Sequence, residues 1–217
     1  MFDHRVVTAL ATVLLIGCGG AAPDTEEAAT DARTDPAEAE AQVTPAATAA
    51  HAAFWSALQA LCGTAHEGTV VEAPAGDTTF AGRELIMHVR TCTDDEIRIP
   101  FHVGADRSRT WVLTRTDSGL RLKHDHRHED GSEDDITQYG GDAAAASGTA
   151  ERQEFPADEH TSSIIPEAAT NVWTVEVVPS RMFAYALRRE GTDRRFRIEF
   201  DLSSEVAAPP APWGAEN

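Results

Sequence analysis

The stretch Arg194-Arg195-Phe196-Arg197-Ile198-Glu199-Phe200-Asp201-Leu202 decides the fold class of this chain. Its apolar residues Phe196, Ile198, Phe200 and Leu202 alternate with Arg195, Arg197, Glu199 and Asp201, the period of two that sends successive side chains to opposite faces of a β-strand. One face is dry and the other wet, so the strand belongs to a sheet with a core on one side. Working outward, similar runs occupy 68–73, 83–91, 96–103, 110–116, 120–127, 149–155, 171–178 and 182–189. Turns such as Asp117-Ser118-Gly119 and Pro179-Ser180 separate several of them. Short strands in close succession favour an antiparallel meander over a crossover-rich α/β fold, and a sheet this large closes or folds on itself to remove its edges. The expected fold is mainly β: an antiparallel up-and-down barrel of about eight to nine strands, with a β-sandwich as the alternative. Ahead of the strands, Phe54, Trp55, Leu58 and Leu61 recur at helical spacing and Cys62-Gly63 supplies a stop, so 51–61 reads as an N-terminal helix across one barrel end. A further short helix is expected within 156–168.

Such a barrel resembles the lipocalin and fatty-acid-binding type, which implies an interior that holds a small apolar or amphipathic ligand. The stretch 54–201 also resembles a group of secreted bacterial proteins, through Ile99-Pro100-Phe101-His102-Val103-Gly104 and through His124-Asp125-His126-Arg127-His128-Glu129-Asp130-Gly131-Ser132-Glu133-Asp134. That likeness implies a self-contained exported domain and no particular activity.

Register between 110–116 and 120–127 decides which residues line the interior. A tight turn centred on Asp117-Ser118 pairs Arg115 with Leu120, Leu113 with Leu122 and Trp111 with His124, and so collects the apolar residues of both strands on one face. A slip of one residue would flip every side chain. Trp111, Leu120, Leu122 and His124 are therefore the candidate ligand-binding residues, with Asp125 on the wet face. By the same parity His88 and His102 fall on the wet side of their strands. Trp55, Trp111 and Trp173 read as core, and Trp213 as free in a Pro-rich tail.

The N-terminus carries an address. Residues 6–16 form an apolar run after Arg5, shorter than the ~20 residues a membrane-spanning helix needs. The run ends on Leu15-Ile16-Gly17-Cys18, which resembles the lipobox of bacterial lipoproteins and implies diacylglycerol on Cys18 and a lipid anchor outside the cytoplasm, on the outer membrane or cell surface. Residues 1–17 then read as signal peptide and 18–50 as the lipidated Cys followed by a disordered acidic linker poor in branched aliphatic residues. The folded domain is expected over 51–203 and a disordered tail over 204–217. Cys62 and Cys92 remain as an even pair in an oxidising compartment and read as a disulfide.

Charge narrows the partners. The 217 residues hold 36 acidic and 18 basic side chains, a formal net charge of -18, so the field around the protein repels nucleic acid. Arg188, Arg189, Arg194, Arg195 and Arg197 cluster over one hairpin; a patch for an anionic partner is one reading, and pairing with the protein's own carboxylates is the preferred one.

His124, His126 and His128 continue the row of Leu120 and Leu122, and two imidazoles two residues apart can share a divalent metal, given further ligands. Three of them span roughly 13 Å at strand rise, so a solvated strand end is the competing reading. The acidic segment 130–135 lacks calcium-loop spacing, and no Gly-x-Ser-x-Gly, P-loop, dinucleotide-binding or His-Glu-x-x-His pattern occurs. The functions left in play are a tethered small-ligand binder, a structural or interaction lipoprotein with a filled barrel, and a metal-binding protein or metallohydrolase.

Overall fold

A computed structural model describes residues 45–143 and 148–215; the segments expected to be signal peptide and most of the acidic linker, with Cys18, lie outside the described residues. Eleven strands follow one another: β1 (Ala65–Glu72), β2 (Leu85–His88), β3 (Thr91–Cys92), β4 (Glu96–Val103), β5 (Asp106–Thr116), β6 (Gly119–His126), β7 (Tyr139–Asp142), β8 (Arg152–Pro156), β9 (Asn171–Val178), β10 (Met182–Arg189) and β11 (Arg195–Asp201). Helix α1 (Pro45–Gln59) precedes them, and helix α2 (Glu159–Ile164) with a 3-10 turn (Pro166–Ala168) sits between β8 and β9. The sheet runs β7-β6-β5-β4-β2-β1-β11-β10-β9-β8, with every pairing antiparallel and β3 added on β4. Ring order is thus chain order, and β1 meets β11 through Gly68 opposite Phe200. This is a mainly β antiparallel barrel, nearly closed, and the sandwich alternative falls away.

Ten strands make the ring rather than eight or nine. The added one is β7, Tyr139-Gly140-Gly141-Asp142, whose two glycines leave no alternation to read. Those glycines serve the remaining seam, between β7 and β8. The Gly140 N–H donates to Thr161 Oγ1 at 2.7 Å, and the Asp158 N–H donates to the Gly140 carbonyl at 2.9 Å. A Cβ on Gly141 would collide with the Pro156 carbonyl. Lys123 on β6 pairs with Asp158, which also caps α2 by accepting from the Thr161 N–H at 2.9 Å. The barrel is latched where its ladder stops.

Helix α1 closes one end. Phe54, Trp55 and Leu58 are fully or almost fully buried, packed in the same core as Leu113, Leu120, Leu122, Phe155 and Val177. Each of these burials is worth ~1.5–3 kcal/mol against exposure, which adds to the high helix propensity of the Ala-rich segment. The Cys62–Cys92 disulfide forms, with Cα atoms 6.2 Å apart, and ties the exit of α1 to β3. On the β5–β6 hairpin the pairs Arg115–Leu120, Leu113–Leu122 and Trp111–His124 are those that hydrophobic matching requires.

The C-terminal segment departs from expectation. Instead of a disordered tail over 204–217, residues to 215 strap the outer wall. The Val206 N–H donates to the Ala65 carbonyl at 2.9 Å, Arg107 donates to the Ala211 carbonyl at 3.1 Å, and the Trp213 N–H donates to the Arg107 carbonyl at 3.1 Å. Pro209 and Pro210 lie beside His102, and Trp213 lies in a recess with Asp125, Arg98 and Arg127, so it is not free. His88, His102 and Asp125, assigned by parity to the wet face, do face outward, yet all three are buried. Parity tells the side of a sheet; it does not tell what later covers it. Ordered contacts therefore continue past 203 to residue 215.

Candidate functional site

The barrel end opposite α1 stays open, and the inward rows of five strands converge on it. On β5 the row Leu113, Trp111 ends at Arg109; on β6 Leu122, His124 ends at His126; on β9 Val175, Trp173 ends at Asn171. On β10 Phe183, Tyr185, Leu187 ends at Arg189, and on β11 the row through Phe200, Ile198 and Phe196 continues to Arg194 beyond the strand. Within this ring lies a cavity of about 280 Å3. Its depth is aromatic and its rim polar. Phe80, from the loop between β1 and β2, leans over it, 5.0 Å from Phe196 and 5.7 Å from Phe101 between ring centroids. Ile165 and Ala168, from the end of α2 and the 3-10 turn, form another part of the lip.

Trp111 is the centre of the aromatic wall. It stacks on Tyr185 at 4.5 Å and on Phe101 at 4.9 Å between centroids. Such pairs add ~0.5–1.5 kcal/mol beyond their area, so the wall is rigid before any ligand arrives. His124 stacks on Tyr139 at 4.4 Å. Its Nδ1 lies 2.9 Å from the Tyr139 carbonyl, which only accepts, so Nδ1 carries the proton and donates. Nε2 then accepts from the Tyr185 hydroxyl at 2.7 Å, while the Tyr185 ring stacks on Trp111. The Tyr139 hydroxyl meets His126 Nε2 at 3.0 Å. These buried polar groups satisfy one another and order the base of the cup.

Burial sets the protonation of these groups. It pushes His124 down to about 3 and Tyr139 up to about 12, raises Tyr185 well above its usual range, and lowers His126 from its ordinary value. The cup base is neutral at pH 7 and built of donors and acceptors already paired.

Of the candidate ligand residues, Trp111 and His124 line the cup. Leu120 and Leu122 do not; they are buried deeper, toward α1, where the interior is filled by side chains. The structure does not bring His124, His126 and His128 together around one point. His124 spends both ring nitrogens on tyrosine partners, His128 is exposed beyond the strand end, and among the described residues no group of three or more His, Cys, Asp or Glu is placed to share an ion. His126 and Tyr139 belong to the cup instead. Tyr139, Tyr185, Asn171 and Phe80 were not singled out from sequence; for Tyr185 and Asn171 the parity of β9 and β10 held the signal, whereas Phe80 sits in a loop without one.

A larger concavity, about 950 Å3, lies on the outer wall over β1, β11, β10 and β9. It is lined by ion pairs, Arg197 with Glu176 at 2.7 Å and with Glu199 at 2.6 Å, and Arg152 with Glu176 at 3.3 Å. Its floor is a network of paired charges, so the smaller aromatic cup is the better-formed ligand site. Fold and site together define a meander barrel with one end plugged and one end cupped. No protein-family model and no curated protein matches this chain.

Proposed function

We propose that this protein is a lipid-anchored lipoprotein of the cell envelope, acylated on Cys18, whose barrel holds one small apolar or amphipathic ligand in the aromatic cup. The observation that carries the reading is the cup itself, an aromatic-walled cavity of about 280 Å3 that opens at one end of a barrel whose other end is plugged. Its size is just below the ~300–1,000 Å3 common for small-molecule sites, and its walls are mainly apolar with a few placed polar groups, as such sites require. The disulfide suits an oxidising compartment, and the lipobox resemblance supplies the tether. No helix among the described residues is long and apolar enough to cross a membrane.

One observation favours a second reading, a structural or interaction lipoprotein: below the cup the barrel is filled by large, fully buried side chains such as Phe155, Phe183, Phe200, Leu113 and Leu122. Native mass spectrometry of protein purified without a His tag separates the two, combined with titration by a straight-chain alcohol series followed through tryptophan fluorescence, because Trp111 and Trp173 line the cup. A bound adduct or a saturable change of emission supports the ligand binder. Adduct-free protein with no response to any alcohol supports the filled structural barrel.

A further inference from the structure

Three of the five inward rows that reach the open end finish on arginine, at Arg109, Arg189 and Arg194, and all three line the cup. This is unusual against the background of the chain, whose formal net charge is -18. Asp77 is the one carboxylate among the lining residues. Neighbours on β10 show the contrast: Arg188, facing outward, pairs with Glu154 at 2.8 Å, whereas Arg189, facing the cup, donates to the neutral Asn171 Oδ1 at 2.9 Å. Among the described residues neither Arg189 nor Arg194 has a carboxylate within ion-pair distance, and Arg194 acts on Asp77 only through its field. Arg109 is held by Asp106 at 2.5 Å. His126, the remaining titratable group at the rim, is shifted toward neutrality by burial. Asp106 holds Arg109, and Asp134 acts on His126 and Tyr139 through its field, so Arg189 and Arg194 are left at the mouth of the aromatic cup as the guanidinium groups with no carboxylate in ion-pair distance among the described residues.

We infer that the cup selects an anionic amphipathic ligand, a small monocarboxylate with an aromatic or short aliphatic tail. The inference rests on the cup being a ligand site and names the class of ligand. The tail packs against Trp111, Trp173 and Tyr185, and the carboxylate sits at the rim between Arg189 and Arg194. Guanidinium groups present paired N–H donors that match a carboxylate. The head remains at the wet edge of the cavity, so it escapes the heavy cost of burying a charge. Arg189 and Arg194, neighbours across one backbone hydrogen bond, offer donors for a single carboxylate. A neutral amide of the same shape keeps only a weaker, uncharged hydrogen bond at the rim, and a cation is repelled there.

The test uses two isosteric series on the purified full chain at low salt: 4-phenylbutyrate, 4-phenylbutyramide and 4-phenylbutylamine, then octanoate, octanamide and octylamine. Binding is read by calorimetry and by tryptophan fluorescence. The acid is expected to bind at least tenfold more tightly than its amide, with the amine weakest, and high salt should narrow the gap. In an Arg189→Gln, Arg194→Gln double variant the acid should fall to the affinity of the amide, while the amide, which reports an intact cup, should be unchanged. Equal affinities of acid and amide in the unmodified protein overturn the anion preference and leave the ligand cup standing. So does tightest binding by the amine. Failure of all six molecules to bind removes the cup as a ligand site together with the preference.

Discussion

Acidification from pH 7.5 to pH 5.0 should cost this protein a large part of its stability, and the cost can be worked from two histidines. His124 is buried at the cup base and His102 is buried under the C-terminal strap. Desolvation lowers His124 to about 3 and His102 to about 4, both from 6.5. Because the folded values lie below the unfolded ones, the unfolded chain takes up protons first as pH falls. The stability associated with neutral histidine is complete above pH 6.5 and is lost progressively down to the folded values. At pH 5.0 an unfolded histidine sits about 1.5 pH units below its ordinary value, and at ~1.36 kcal/mol per unit His124 alone costs about 2 kcal/mol. His102, covered by a single layer of chain, costs no more than a similar amount. His51, His88 and His126 are shifted in the same direction and add to the loss. A domain with a typical ~5–15 kcal/mol would feel this strongly. Urea unfolding at the two pH values, with the disulfide kept oxidised, measures it directly. A stability at pH 5.0 within about 1 kcal/mol of that at pH 7.5 would refute buried, neutral histidine as an acid-sensitive element of this fold.

Other perturbations follow from single contacts. Gly68→Ala places a Cβ 2.5 Å from the Phe200 ring at the β1–β11 closure; since Phe200 is fully buried, overpacking should cost ~1–3 kcal/mol, seen as a lower urea midpoint with an unchanged slope. Replacing Cys62 and Cys92 with Ser opens a loop with a sequence separation of 30 and should remove ~3.5 kcal/mol in the chain-entropy model; an unchanged midpoint would show that α1 docks without the tether. Truncation after Ser204 uncovers His102 and Asp125 and strips Arg107 of its Ala211 acceptor, so hydrogen exchange should rise in β4 and β5 while the cup's ligand response persists. Cys18→Ser should release the protein from the membrane fraction, and continued membrane association would place the anchor elsewhere.

Much of the fold is written in short-range pattern. The alternation of 196–202, the exact strand limits at 96–103, 171–178 and 182–189, the helical spacing of Phe54, Trp55 and Leu58, and the Trp111–His124 register all follow from period and hydrophobic matching, because a wet face and a dry face leave each strand one way to sit. The cysteine pair was legible once the lipobox resemblance set Cys18 aside, which left Cys62 and Cys92 as an even pair.

Tertiary structure alone decided the rest. Two glycines gave β7 no alternation to read, so its place at the seam depends on Thr161 and Asp158, far along the chain. Parity put His88, His102 and Asp125 on the outer wall, yet all three are buried there, His102 beside Pro209 and Pro210 and Asp125 beside Trp213 of the returning C-terminal segment. The His stripe looked like a set of metal ligands in one dimension; Tyr139 and Tyr185, arriving from β7 and β10, take up both nitrogens of His124 and make it part of a wall. The rim arginines come from strands that are distant in sequence, Arg109 on β5 and Arg189 on β10, and become one charged mouth only when the sheet curls round on itself. Local sequence sets which side of a strand a residue faces, whereas closure of the sheet sets what it faces there.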